Sequence, residues 1–293
     1  MSLYTITLEQ HLSCFEKQFP VVFSSLNEEN RLIEAMRYAC EGGGKRLRPV
    51  LLMECCRLSG GDPQKAVPYA SALELIHSYS LVHDDMPCMD NSPLRRGKAS
   101  VHAAYGETLA LLTGDALLNL AFETALTDTT FPASIQLSAT RILAECAGVL
   151  GMIGGQLLDL ESEEKTIDLS TLKTLQERKT AALLVAACKM GATLGGANAE
   201  QIEQAGHYGY YIGLAFQIVD DILDATSTAQ ELGKPVGSDE ENQKNTYVSL
   251  LGIEKAKQLA KEYTEKAIDA LASFGKSGND LCCLAEQLLH RTH

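Results

Sequence analysis

The chain has 293 residues, 45% of them hydrophobic and 22% charged, as in an ordinary globular protein with a sizeable core. A formal net charge of −13, spread along the chain, argues against nucleic acid as a partner. The N-terminus has no basic stretch leading into an apolar one, and no uninterrupted apolar run approaches the ~20 residues that span a membrane. A cytoplasmic protein with no stable membrane association is therefore expected.

Helical signals recur from end to end. Thr7 followed by Gln10 has capping-box spacing, as does Asn198 followed by Gln201. Residues 27–40 carry apolar positions at helical intervals (Leu32, Ile33, Met36) and run into Gly42-Gly43-Gly44, a natural stop. Segments 68–83, 107–126, 136–152, 171–191, 200–224 and 253–273 are rich in Ala and Leu, and several are apolar nearly all round, as in helices buried inside a bundle. Sustained apolar–polar alternation is nearly absent, so strands are not expected. With no Pro- or Ser-rich linker, the chain reads as one all-α domain over 1–293. Its nine cysteines lack metal-site spacing and read as reduced core thiols.

Two acidic clusters stand out. The second is Gln217-Ile218-Val219-Asp220-Asp221-Ile222-Leu223-Asp224. Asp220 and Asp224 are one turn apart, about 40° round an ideal helix, with Gln217 on the same stripe. An isolated motif of this kind is as often a solvated face, but Ile218, Val219, Ile222 and Leu223 make solvation a poor fit. Gly213 and Ala215 permit a neighbouring helix to approach closely. The first cluster is His83-Asp84-Asp85-Met86-Pro87-Cys88-Met89-Asp90. Asp84 and Asp90 fall about 240° apart on a straight helix, so they can share an ion only if the helix is interrupted, and Pro87 supplies the interruption. Carboxylates among apolar residues need positive partners. Two such walls facing across a cavity suit magnesium, which keeps water and substrate phosphates in its shell, with nearby Lys and Arg gripping the same phosphates. Met86 and Cys88 are too soft for that ion and read as packing.

In order along the chain, Gly42-Gly43-Gly44-Lys45-Arg46-Leu47-Arg48-Pro49, Ile76 to Asp85, Arg95-Arg96-Gly97-Lys98, Thr113-Gly114-Asp115-Ala116-Leu117, Gly154-Gly155-Gln156-Leu157-Leu158-Asp159-Leu160, Lys179-Thr180 and the second aspartate cluster with its lysines resemble the trans-isoprenyl diphosphate synthase family, specifically its bacterial farnesyl diphosphate synthases. The resemblance covers nearly the whole chain. It implies a helical bundle of the isoprenoid-synthase type around a deep central cavity, a homodimer, and head-to-tail condensation of an allylic diphosphate with isopentenyl diphosphate. Asp84, Asp85 and Asp90 are then expected to bind two magnesium ions and Asp220 a third, supported by Asp221 and Asp224, with manganese able to substitute. Arg95, Lys179, Thr180, Gln217 and Lys234 would hold the allylic diphosphate, with Lys244 nearby. Lys45, Arg48, His77 and Arg96 would hold isopentenyl diphosphate. Three divalent ions balance the six motif carboxylates, and Lys45, Arg48, Arg95, Arg96, Lys179, Lys234 and Lys244 balance the two diphosphates, so the site approaches neutrality only when filled.

The resemblance also places the residue that sets product length at Tyr79, about 7.5 Å down a helix from Asp84. An aromatic there points to a C15 product and a small residue to C20. Helix rotation alone puts Tyr79 about 140° from Asp84, so an ordinary core tyrosine is the alternative. Asn91-Ser92-Pro93 departs from the family's habit of further acidic residues after the third aspartate. A non-catalytic subunit would lack some of the motif residues present here, and a terpene cyclase would lack the set Lys45, Arg48, His77 and Arg96.

Overall fold

Ala- and Leu-rich composition does produce helices in the computed structural model, which describes residues 3–24, 26, 28–41, 43–163, 165–226 and 245–291. In chain order they are α1 (Ile6–Gln18), α2 (Val21–Ser24), α3 (Arg31–Cys40), α4 (Leu47–Leu58), α5 (Val67–Asp84), α6 (Val101–Tyr105), α7 (Glu107–Thr127), α8 (Ala133–Ala147), α9 (Met152–Ser162), α10 (Leu169–Gln176), α11 (Ala182–Gly195), α12 (Ala199–Thr226), α13 (Tyr247–Leu251), α14 (Ile253–Ala270) and α15 (Asn279–Leu289). Two-residue strands β1 (Leu94–Arg95) and β2 (Lys98–Ala99) pair antiparallel after α5, a small exception to the all-helical expectation. Lys234 and Lys244 lie outside the described residues.

Caps and breaks account for most boundaries. Asn198 and Gln201 do form a reciprocal box, with Gln201 N donating to Asn198 Oδ1 at 2.9 Å and Asn198 N to Gln201 Oε1 at 3.2 Å. At the N-terminus the cap is Thr5 rather than Thr7, because Thr5 accepts from Leu8 N and Thr7 already lies inside α1. The span expected at 136–152 ends at Ala147, and α9 begins afresh at Met152. The span expected at 171–191 is divided by a π turn at Glu177–Ala181.

α5 packs against α7, α4 against α11, and α12 against both α11 and α14. The main core lies where α4, α5 and α11 meet, with Leu51, Leu52, Leu73, Leu75, Ile76 and Ala187 wholly buried. A second cluster joins α12 to α13 and α14 through Leu214, Ile218, Tyr247 and Ala256. Each buried Leu or Ile among these contributes roughly 1.5–3 kcal/mol through burial. α5 and α12 are thereby fixed as rigid walls, each carrying an aspartate cluster near its C-terminal end. Gly213 makes the close approach its size permits, since a Cβ there would lie 2.7 Å from Ala181 Cβ.

Two helical stretches are long and apolar enough by length and composition to cross a membrane, Glu107–Thr127 (mean hydropathy 1.3) and Ala133–Ser162 (1.4). Neither is an uninterrupted apolar run, because scattered polar residues break both, and these are the two such stretches among the described residues. Their outward faces expose Leu111, Leu112, Leu126, Leu137, Val149 and Leu150. The cysteines are all unpaired, yet Cys88 and Cys283 are exposed, so not every thiol belongs to the core.

Candidate active site

The first wall forms where α5 stops. The helix ends at Asp84, before Pro87, and the chain folds back so that Asp90 N donates to the Asp84 carbonyl at 2.9 Å. Asn91 N and Ser92 N bond to the carbonyls of Met86 and Asp85, with Asn91 in the left-handed region at φ 48°. The interruption inferred from Pro87 thus brings the backbones of Asp84 and Asp90 together. Asp85 is buried and held by Arg95 of β1, whose Nε lies 3.1 and 3.2 Å from its two oxygens. Burial raises the Asp84 carboxyl to about 6; the Asp90 and Asp85 charges add to the rise, while Lys179 and Arg95 oppose it.

The second wall is the α12 stripe, and its members have different surroundings. Asp221 is buried and turned inward: Gln217 Nε2 donates to its Oδ1 at 3.0 Å and Tyr247 N to its Oδ2 at 2.8 Å. Asp224 is buried as well, whereas the Asp220 carboxylate is 44% exposed. Arg291, beyond the end of α15, donates to Asp220 Oδ1 at 2.7 Å. Of the three aspartates, Asp220 is the one most open to an incoming ion.

Lys179 and Thr180 reach the site from the π turn, a helix irregularity common at functional positions. The turn is pressed against α9 at Gly155, where a Cβ would stand 2.2 Å from Lys179 N, so no other residue fits. The Lys179 ammonium is paired with Asp159 of α9. Burial works against its charge, but Asp159, with Asp84 and Asp90 beyond it, holds its pKa above the usual value. Thr180 Oγ1 lies 3.4 Å from Gln217 Oε1, which ties the π turn to α12.

Of the residues expected to hold isopentenyl diphosphate, Arg48, His77 and Arg96 lie near one another, whereas Lys45 senses Arg291 and Asp220 instead. Arg96 donates to the Gly43 carbonyl, joining the β hairpin to the loop before α4. Burial lowers the pKa of Arg48, Glu74 pulls it back up and the neighbouring Arg96 lowers it again, and Arg48 Nε is buried without a hydrogen-bond partner among the described residues. His77 is held well below the usual histidine range by burial and then by Arg48, Arg96, Arg46 and Arg95. Cations that repel one another this closely, with a donor left over, call for an anion. Beneath them Arg46 is buried at φ 46° and bonds Glu16 at 2.8 Å, Glu74 at 2.6 Å and the Cys40 carbonyl at 2.7 Å.

Below the first wall lies a cavity of about 540 Å³. Asp84, Asp115, Lys179, Thr180, Arg48 and His77 share its lining with Tyr79, Ser80, His83, Leu118, Ile153 and Leu157. Tyr79 therefore borders the same space as Asp84 despite their separation round the helix. Its ring packs edge-on against His83 (centroids 5.9 Å apart), and its buried hydroxyl has no partner among the described residues. Asp159, Arg46, Glu74 and Arg291 were given no role from sequence. Asp159 and Glu74, acidic residues within apolar helices, carried a usable signal, whereas Arg291 near the C-terminus carried none.

Carboxylate oxygens are the right donors for magnesium, and the orphaned Arg48 Nε fits a phosphate. No three His, Cys, Asp or Glu side chains among the described residues converge into a metal cage.

A sequence model of the polyprenyl synthetase family matches residues 29–276. A farnesyl diphosphate synthase of Geobacillus stearothermophilus is 43% identical over 265 residues, covering 90% of this chain and 89% of that protein. A geranylgeranyl diphosphate synthase of Cyanophora paradoxa is 42% identical over 264 residues, covering 89% and 88%. Among solved structures, an FPP/GFPP synthase of Zymomonas mobilis superposes with a TM-score of 0.86 at 38% identity, over 97% of this chain and 99% of that one. A geranyltransferase of Helicobacter pylori, complexed with magnesium and isoprenyl diphosphate, does so with a TM-score of 0.81 at 32% identity, over 98% and 97%.

Proposed function

This chain belongs to the polyprenyl synthetase family and is a trans-prenyl diphosphate synthase, and on that premise we propose that its main product is the C15 compound, farnesyl diphosphate. The observation that carries this is Tyr79, whose aromatic ring borders the cavity below Asp84 and bounds the space for a growing chain. Relatives of similar identity include both farnesyl and geranylgeranyl synthases, so product length rests on this side chain and not on likeness.

Asp84, Asp85 and Asp90 would hold two magnesium ions and Asp220 a third, with Asp224 beside it and manganese a substitute. Magnesium supplies charge that stabilises departing diphosphate. Asp221, engaged through both oxygens, positions the wall more than it ligates. Lys179, Arg95, Thr180 and Gln217 orient the allylic diphosphate so that its C–O bond breaks facing the cavity, and Lys234 and Lys244 join them in the reading from sequence. Arg48, Arg96, Lys45 and neutral His77 hold isopentenyl diphosphate with its double bond over the cation. Tyr79, Leu118, Ile153 and Leu157 keep water away while the carbon–carbon bond forms. The proton then released passes to the pyrophosphate product, as the resemblance to the family implies. The exposed leucines of α7 and α8, with Val149 and Leu150, are best covered by a second copy of this chain, making the enzyme a homodimer rather than a membrane protein.

Incubation with magnesium, dimethylallyl diphosphate and labelled isopentenyl diphosphate should yield a C15 alcohol after dephosphorylation. A dominant C20 product would refute the length assignment, and no condensation at all would refute the enzyme reading. Light scattering should return twice the 31.7 kDa chain mass.

A further inference from the structure

Arg291 occupies an unusual seat. Its guanidinium lies flat on the Phe216 ring, 3.9 Å from the centroid, and donates to the Phe216 carbonyl at 2.9 Å and to Asp220 Oδ1 at 2.7 Å. The arginine side chain is 7% exposed although it is two residues beyond the last helix. The seat is also incomplete, because its Nε is buried with no hydrogen-bond partner among the described residues. Lys45, from the loop before α4, is near enough to sense both charges: burial lowers its pKa, Arg291 lowers it further and Asp220 raises it. The chain's own C-terminal cation therefore sits on the carboxylate assigned to the third metal ion, beside the loop assigned to isopentenyl diphosphate.

We propose that Arg291 is a stand-in cation: it neutralises and orients Asp220 in the unfilled protein and is exchanged for the metal ion on loading. The proposal rests on reading Asp220 as a metal ligand. A half-open carboxylate beside a basic loop needs a positive partner at all times. An arginine with a satisfied Nη2 but an orphaned Nε is a partner that can leave at modest cost. Once displaced, its charge lies beside Lys45, on the side where a diphosphate enters. The exchange makes metal entry at the second wall a competition, and it couples that entry to the position of the segment after α15 that carries Arg291.

The test is magnesium titration of the full chain without substrate, read as the rise of the thermal midpoint with metal concentration. Arg291→Gln should bind magnesium roughly 2- to 10-fold more tightly than wild type, the range expected for loss of an ionic partner to a partly exposed carboxylate. Arg291→Lys should keep the wild-type affinity, and in an Asp220→Asn background the Gln change should have no effect. Unchanged or weaker binding by Arg291→Gln overturns the proposal. So does an equal gain in the Asp220→Asn background, which would mean that Arg291 acts only as a distant charge. If Arg291→Gln fails to fold, truncation after His290 removes the same cation and is read in the same way. A wild-type magnesium response in Asp220→Asn alone would instead overturn the metal reading beneath the proposal.

Discussion

Replacing Tyr79 by alanine separates a floor from a core residue. Truncating a buried aromatic costs about 3–5 kcal/mol where a sealed void remains. Here the loss should be smaller for two reasons visible around the ring. The hydroxyl has no partner to leave stranded, and the hole opens into the existing cavity of about 540 Å³ instead of closing on itself. A penalty of roughly 2–3 kcal/mol follows, which lowers the thermal midpoint by about 3–5 °C in a chain of this size. Tyr79→Phe removes only the unpartnered hydroxyl, so it should be neutral or slightly stabilising and should keep the C15 product. Chromatography of dephosphorylated products is the assay, with Tyr79→Ala expected to yield C20 or longer chains. A destabilised Tyr79→Ala enzyme that still makes only C15 would show the ring to be core packing, and the reasoning from the cavity would fall.

The two walls predict that Asp84→Ala or Asp220→Ala each removes nearly all condensation while circular dichroism keeps the wild-type helicity, since such charge terms are worth several kcal/mol in the transition state; near-normal turnover in either would break the two-wall reading. The substrates should separate kinetically: Arg48→Ala and His77→Ala raise KM for isopentenyl diphosphate more than for the allylic partner, whereas Lys179→Ala acts on turnover, and equal effects from all three would mean the groups are misassigned. The Asp84 carboxyl, raised from 3.8 to about 6, holds a proton in the folded metal-free chain that the unfolded chain releases, so this group adds stability at low pH that is lost as pH rises toward 6. Magnesium must displace that proton, and its affinity should climb by at most about tenfold per pH unit below 6 and level off above; a pH-independent titration between about pH 5 and 7 would argue against Asp84 as a ligand.

The features most legible in the sequence were those that depend on one element at a time. Asn198 and Gln201 carry their cap in their own spacing, and the α12 stripe follows from helical period alone. Pro87 announced a break, although the fold-back that brings Asp90 to Asp84 depends on a loop no periodicity describes. α4 was not among the expected helices, and Pro49 in its first turn, next to the Gly42-Gly43-Gly44 break, disguised its start. The π turn was hidden for a different reason. Glu177–Ala181 has ordinary helix-forming residues, and its register slips against the backbone of α9 at Gly155, a contact between segments distant in sequence. Asp221 and Asp224 look alike in the motif, and the bonds from Gln217 Nε2 and from Tyr247 N, 26 residues further along, that anchor Asp221 cannot be read from it.

That contact at Gly155 has a practical consequence for engineering. α9 supplies Ile153, Gln156 and Leu157 to the tunnel and also braces the turn that aims Lys179, so tunnel width and leaving-group activation share one joint. Widening the tunnel by reshaping α9 should trade speed for length. Substitutions on α5, whose tunnel side chains Tyr79 and Ser80 lie apart from that joint, should lengthen or shorten the product and spare the rate.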